Sequence, residues 1–150
     1  MHPGFGYGFG FGSAGIGHNG VPAISPLRTA IAQLFASGAQ GGAWDVTQPD
    51  MLFQDAGRLS PVTGLAQPCQ SILDLSPNGN HVTAPNGSAR AIYGLMPNGK
   101  PGILFDGQDD HFTRASFDLS GSSVVTFFAA FWMLTSTGTR ALVETSTLSS

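Results

Sequence analysis

Turn-forming residues recur at short intervals along residues 39–150 and leave room only for short elements between them. Pro, Gly, Asn and Asp cluster at residues 48–50, 55–57, 76–80, 85–87, 97–99 and 106–107. These residue types favour turns because they fix the backbone, free it, or hydrogen-bond to it through their side chains. Short apolar runs separated by frequent turns are typical of a β sandwich or barrel. We therefore predict a mainly β module over residues 39–150.

Four apolar runs between these turns predict strands. Residues 102–105 form a short apolar run, residues 140–145 contain another, and residues 112–117 alternate weakly between apolar and polar side chains. The strongest strand pattern covers residues 124–134, which are apolar on both faces. A strand of that kind is typically covered on both sides, so the sequence places it at the centre of a sandwich.

One helix is predicted before the β module, over residues 25–38. Ser25 is a good N-cap, Pro26 suits the first helical position, and Gly38 suits the residue just after the helix. A helix of this length is marginal alone, so its apolar face must pack on the same chain or on a partner. That face carries Leu27, Ile31, Leu34 and Phe35.

Residues 1–24 are rich in glycine, and over residues 4–12 glycine alternates with aromatic side chains. Ordering a glycine-rich segment costs much conformational entropy. Such a segment is either a flexible tail or an extended arm whose rings fill pockets on a partner. We predict an anchoring arm, so that residues 1–37 bind a partner. The contacting rings are Phe5, Tyr7, Phe9 and Phe11.

Composition and charge exclude several classes of protein. Only 10% of the residues are charged, and the six Lys and Arg residues form no basic patch, so a nucleic-acid partner is not expected. No apolar run reaches the roughly 18–20 residues of a membrane helix. Cys69 is the one cysteine, which excludes a disulfide scaffold and predicts a small buried side chain. A surface with few charges suits a subunit of a larger assembly, and we expect a homo-oligomer.

One acidic cluster is a candidate metal site. Asp106, Asp109 and Asp110 can offer oxygen ligands to Ca²⁺ from a single loop. The alternative is that their carboxylates cap the amides of that loop. No other cofactor is expected, because the four histidines lack zinc-site spacing. The sequence has no nucleophile motif and no evident acid–base pair of carboxylates, so we expect no enzyme activity.

An ordered set of short motifs in residues 43–113 resembles a module of phage and prophage virion proteins. In chain order, the matching segments are Trp44-Asp45, 50–55 (DMLFQD), 60–63 (SPVT), 67–68 (QP), 73–74 (LD), 76–81 (SPNGNH), Arg90 and 102–110 (GILFDGQDD). The resemblance implies a concanavalin A-like, LamG-type jelly roll that opens at residues 102–110. Two positions depart from the family pattern: no Tyr follows Trp44, and Cys69 replaces an aliphatic residue.

The resemblance also implies a function. Such modules belong to tail fibres, to other virion proteins and to lectin-like surface proteins. We therefore expect a non-enzymatic structural protein of the phage particle, in its tail or a fibre, attached to other virion proteins through residues 1–37. The alternative is a lectin-like protein that binds a host surface glycan or receptor and has no structural role. A complete jelly roll needs more strands than follow residue 105, so we expect the natural chain to continue past Ser150. The alternative is that another copy completes the sandwich.

Overall fold

The structure is a computed structural model that describes residues 26–114, 124–133 and 142–143. Within these residues the chain is mainly β, with two small antiparallel sheets, one α-helix and one 3-10 turn at Pro49–Met51. The strands are β1 (Leu52–Phe53), β2 (Pro68–Cys69), β3 (Ser71–Ile72), β4 (Val82–Thr83), β5 (Ala91–Leu95) and β6 (Pro101–Leu104). The predicted arm of residues 1–24 and the predicted N-cap Ser25 lie outside the described residues.

The helix α1 covers Pro26–Leu34 and is therefore shorter than the predicted range 25–38. After Leu34 the chain makes a tight turn, in which the N–H of Gly38 donates to the carbonyl of Phe35 at 3.0 Å. Gly38 has a φ of +79°, a left-handed conformation that glycine adopts without steric cost. The sequence predicted Gly38 as the residue just after the helix, but α1 already ends at Leu34, and Gly38 instead ends the turn that follows. No helix in the described part of the chain combines the length and apolar character needed to cross a bilayer.

The first sheet has the order β1-β3-β4, and all its pairs are antiparallel. Leu52 pairs with Ile72, and Ile72 pairs with Val82 on its other side. A separate bridge joins Thr83 to Thr113, with two backbone hydrogen bonds of 3.0 Å. This bridge brings the end of the described β region next to β4.

The second sheet has the order β2-β5-β6 and contains a hairpin between β5 and β6. The N–H of Met96 donates to the carbonyl of Lys100 at 2.8 Å, and Gly99 turns the chain with a φ of +74°. The prediction of a strand at residues 102–105 is confirmed, with bounds shifted by one residue.

Gln70 connects the two sheets, because it lies between β2 and β3. Its N–H donates to the carbonyl of Phe53, and its carbonyl accepts the N–H of Ala84, both at 2.7 Å. A segment that passes from one sheet to the other is how two sheets share a corner. The two sheets therefore contribute to one buried cluster, which consists of Leu52, Val62, Cys69, Ile72, Ala91, Tyr93 and Ile103.

Residues 124–133 correct a prediction. The sequence predicts a central strand over 124–134, but in the structure residues 124–133 form no strand or bridge and every one of them is exposed. The side chain of Phe128 is 96% exposed. β propensity measures how well a side chain packs on neighbouring strands, and the described residues provide no such neighbour here. The predicted strands over 112–117 and 140–145 also do not form in their described parts, apart from the bridge at Thr113.

Candidate functional site

The loop of residues 74–81 is organised by the buried carboxylate of Asp74. One oxygen accepts the N–H groups of Ala43, at 2.8 Å, and of Ser76, at 2.9 Å. The other oxygen accepts the Ser76 hydroxyl at 2.5 Å and the N–H of Asn80 at 2.8 Å. Hydrogen bonds to an ionised acceptor are stronger than neutral ones. Asp74 therefore fixes the shape of the loop that carries the SPNGNH motif.

Asn80 extends this arrangement to three neighbouring segments. Its side-chain amide donates to the carbonyl of Gly41 at 2.7 Å, and its backbone carbonyl accepts the indole N–H of Trp44 at 2.9 Å. Its side-chain oxygen accepts Nε of Arg114 at 3.3 Å. Asn80 thus fastens the glycine-rich segment to the loop and positions the guanidinium of Arg114.

His81 follows in the loop, and its ring is held in one orientation. Nδ1 accepts the N–H of Asp74 at 3.0 Å, so the neutral ring carries its proton on Nε2. Partial burial lowers the pKa of His81, the positive charges of Arg58 and Arg114 lower it further, and the charge of Asp74 opposes this effect. The neutral imidazole is therefore favoured, with Nε2 as a hydrogen-bond donor.

Arg58 approaches the same place from a strained loop. Its φ is +59°, in the left-handed region that costs an L-residue about 1–2 kcal/mol. The carboxylate of Asp55 holds this loop by accepting the N–H of Ser60 at 2.7 Å and that of Leu59 at 3.2 Å. The same hydrogen bonds, with Ser60 the largest contributor, lower the pKa of Asp55. An ionised Asp55 thus stabilises the conformation that Arg58 adopts.

These groups border one pocket with a volume of about 370 Å³. Neither Arg58 nor Arg114 is ion-paired with a carboxylate among residues 26–114, and no acidic residue of the described part of the chain lines the pocket. Two arginines and one histidine therefore border the same pocket, although the chain as a whole has a net charge of −3. Such an arrangement can bind an anion. The lining consists of Arg58, Gly79, His81, Thr83, Thr113 and Arg114.

Sequence reasoning did not find this pocket. It included His81 only as part of the SPNGNH motif, and it singled out neither Arg58 nor Arg114. The three residues are far apart in the chain, and the bridge between Thr83 and Thr113 is what places Arg114 beside His81. The nearest sequence signal was the SPNGNH motif, which marks the loop but not the cations around it.

The predicted acidic cluster is brought together in the structure. The carboxylates of Asp106, Asp109 and Asp110 each offer an oxygen within 4.8 Å of the others. Two of them also cap the loop: Asp110 accepts the N–H of Asp106, and Asp106 accepts that of Gln108, both at 2.8 Å. The capping interpretation is thus confirmed for Asp106 and Asp110. Oxygen donors at this separation suit Ca²⁺, and calcium binding stays a prediction.

The predicted partner-binding residues of the helix are divided between exposed and buried positions. Leu27 and Leu34 are 51% and 67% exposed, and Ile31 is half-buried. Phe35 is buried against its own chain, where a Cβ atom added to Gly41 would lie 3.0 Å from the ring. The other predicted contact residues, Phe5, Tyr7, Phe9 and Phe11, lie outside the described residues.

Comparison with protein-family models, with curated proteins and with solved structures found no match to this chain.

Proposed function

We propose that this chain is a non-enzymatic structural protein of a phage particle, in its tail or a fibre. The observation that carries the proposal is the ordered motif set of residues 43–113. Its members meet in one folded unit: Asp74 binds the loop of residues 76–80, and Asp55 holds the loop of residues 55–60. Hydrogen bonds between motif residues support the interpretation that the motifs belong to one folded module and do not match the family pattern by chance. In this proposal the module is the start of a concanavalin A-like jelly roll.

Attachment to other virion proteins is assigned to residues 1–37. The helix α1 is tied to the β region by Arg28, whose guanidinium donates to both oxygens of Asp50 at 2.9 and 2.8 Å. Leu27 and Leu34 remain exposed on this tethered helix. A helix that contacts the β region and keeps apolar side chains exposed supports a role for the helix in attachment, together with the arm that precedes it.

Self-association is supported by the exposed apolar segment of residues 124–133. Soluble monomers rarely expose large contiguous apolar patches, which commonly mark interaction surfaces. We propose that other copies of the chain cover this segment in the assembled particle. Its exposed large apolar side chains are Val124, Val125, Phe127, Phe128, Phe131, Trp132 and Met133.

Incorporation into particles tests the attachment role of the arm. Replacing Phe5, Tyr7, Phe9 and Phe11 with alanine should leave the circular dichroism and the Tm of the purified chain unchanged. The variant should be absent from purified particles by immunoblotting, because the four rings supply the apolar contacts. The matched control replaces His2, Ser13, His18 and Asn19 with alanine and should be incorporated normally. Normal incorporation of the ring variant would contradict the proposal.

A second candidate function is binding of a host surface glycan or receptor, and the basic pocket favours it. Its volume of about 370 Å³ falls within the range of roughly 300–1,000 Å³ typical of ligand sites. An array of neutral and acidic glycans, probed with the full chain, tests this function. Absence of binding to every glycan would contradict it.

A further inference from the structure

We infer that the pocket between Arg58, His81 and Arg114 binds the carboxylate of an acidic sugar. The inference rests on the second proposed function, glycan binding, and names the class of glycan. The cations come from three separate segments of the chain: the loop of residues 55–60, the loop of residues 74–81, and the residue after the Thr83–Thr113 bridge.

Hydrogen-bonding capacity at this pocket is dominated by donors. The guanidinium of Arg58 is paired with no carboxylate of residues 26–114, and Arg114 uses only Nε for its bond to Asn80. A planar guanidinium can bind a carboxylate through two parallel hydrogen bonds. The Nε2 proton of His81 adds a third donor group, because Nδ1 is occupied by the N–H of Asp74. An oxyanion is therefore the complementary ligand.

The remaining lining favours a hydroxylated carrier for that carboxylate. Gly79 supplies backbone, and Thr83 and Thr113 supply hydroxyl groups. The Thr113 hydroxyl donates to the Thr83 carbonyl at 3.1 Å, and the Thr83 hydroxyl lies 3.4 Å from that of Ser71, so both oxygens keep capacity to accept a further hydrogen bond. Among the residues that the structure describes, no large apolar side chain lines the pocket, so an aromatic or aliphatic acid would find little to pack against. A sugar ring presents hydroxyl groups that can pair with these polar atoms.

The state of His81 favours a carboxylate over a phosphate. A phosphate carries nearly two negative charges and would draw a second proton onto the imidazole. That proton would have to reside on Nδ1, which accepts the N–H of Asp74 at 3.0 Å. Protonation would therefore break a contact that helps to hold the loop. A singly charged carboxylate accepts from Nε2 and leaves that contact intact.

The backbone of Arg58 is an independent observation that points to the same site. Left-handed non-glycine residues cluster at ligand-binding positions, where the surrounding structure holds them. Here Asp55 holds the loop through Leu59 and Ser60, and the strained residue is one of the two arginines that line the pocket.

Titration of the full chain with single sugars tests the ligand class. The probes are sodium glucuronate and sodium N-acetylneuraminate, with glucose as the neutral control and inorganic phosphate as the alternative anion. Binding is followed by calorimetry and by the NMR signals of the His81 ring. We expect saturable binding of at least one acidic sugar, movement of the His81 signals, no binding of glucose, and at least tenfold weaker binding of phosphate.

Arg58→Gly is the decisive variant, because glycine keeps the left-handed backbone while the guanidinium is lost. We expect an unchanged or higher Tm and a Kd for the acidic sugar raised about tenfold or more, as for loss of a charge-assisted pair. The matched control is Ala66→Gly, since Ala66 has a φ of +63° and does not line the pocket. It should leave the Kd unchanged.

Arg114→Gln should also weaken binding of the acidic sugar. Its control is Lys100→Gln, which makes the same charge change outside the pocket and should leave binding unchanged.

Three results would overturn the inference: no saturable binding of an acidic sugar, phosphate binding as tight as that of the sugar, or an unchanged Kd in Arg58→Gly. On a glycan array, binding to neutral glycans alone would overturn the inference and leave the glycan-binding function standing. Binding to no glycan at all would overturn both the inference and the proposed glycan-binding function.

Discussion

Asp74 shows how one side chain can hold several segments together. Its carboxylate is buried and accepts four hydrogen bonds, from Ala43, from Asn80 and twice from Ser76. Removing it leaves several buried donors without an acceptor, and each such group is costly. The loop of residues 74–81 and the segment before β1 depend on it together.

Substitution of Asp74 should therefore be far more damaging than loss of a surface carboxylate. We expect Asp74→Ala to lower the free energy of unfolding by about 3–4 kcal/mol, because charge-assisted hydrogen bonds are lost and their donors stay buried. Urea unfolding followed by circular dichroism measures this. The matched control is Asp50→Ala, which removes an exposed ion pair with Arg28 and should cost less than about 1 kcal/mol. Equal losses for both variants would contradict this account.

His81 should make stability fall as the pH drops below the ordinary histidine pKa of about 6.5. Burial and the two arginines lower its pKa in the folded state, so the unfolded chain binds a proton first as pH falls. The stabilising contribution is present above the ordinary histidine pKa and is lost as pH drops below it. His81→Gln can still accept the N–H of Asp74 but does not titrate. We expect a flatter dependence of the free energy of unfolding on pH for this variant, and equal slopes would disprove the assignment.

At the scale of elements, the loop of residues 106–110 joins β6 to the bridge at Thr113 and concentrates three carboxylates. Asp106 and Asp110 accept loop N–H groups, whereas the carboxylate of Asp109 caps no backbone N–H in the described loop. This difference separates a metal-binding role from a structural one, since Asp109 can be changed without removing either cap.

Calcium should raise the Tm of the chain if this loop binds it, because a ligand that binds only the folded state stabilises that state. Asp109→Asn should abolish the increase while keeping the Tm without calcium. Asp50→Asn is the control variant, and its calcium response should match that of the unaltered chain. Differential scanning fluorimetry with calcium and with EDTA measures both. An unchanged Tm in the unaltered chain at millimolar calcium would refute the prediction.

The helix and the segment 124–133 show two outcomes of an apolar pattern. After the helix, Phe35 is buried next to Gly41, whereas the neighbouring Leu34 is exposed. In residues 124–133 the pattern predicts a covered strand, yet the described residues supply no adjacent strand. Apolar side chains are buried only where a neighbouring surface receives them.

For the whole molecule, the exposed segment 124–133 predicts self-association. Phe128→Asp should place a charge where apolar contact is expected and raise the dissociation constant of the oligomer about tenfold or more. Light scattering coupled to size-exclusion chromatography measures the oligomer. Leu59→Asp is the control, because Leu59 is 87% exposed and lies outside the segment. A monomeric unaltered chain, or equal effects of the two variants, would exclude this surface as the contact.

Local features were determined by the sequence. The turns at residues 97–99 and 106–107 and the strand that follows the first of them agree with the structure. Cys69 is buried as predicted, and burial raises the pKa of its thiol to about 11. The turns could be predicted because turn residues act on their own backbone. The burial of Cys69 could be predicted because a cysteine without a disulfide partner behaves as a small apolar side chain.

Only the tertiary structure decided which segments meet. The passage of the chain from β2 through Gln70 to β3, the bridge between Thr83 and Thr113, and the gathering of Arg58, His81 and Arg114 all join residues distant in sequence. A periodic pattern states which face of a strand is apolar but not which strand will lie beside it. For the same reason the pattern over 124–134 predicted a strand and could not supply the neighbour that a strand requires.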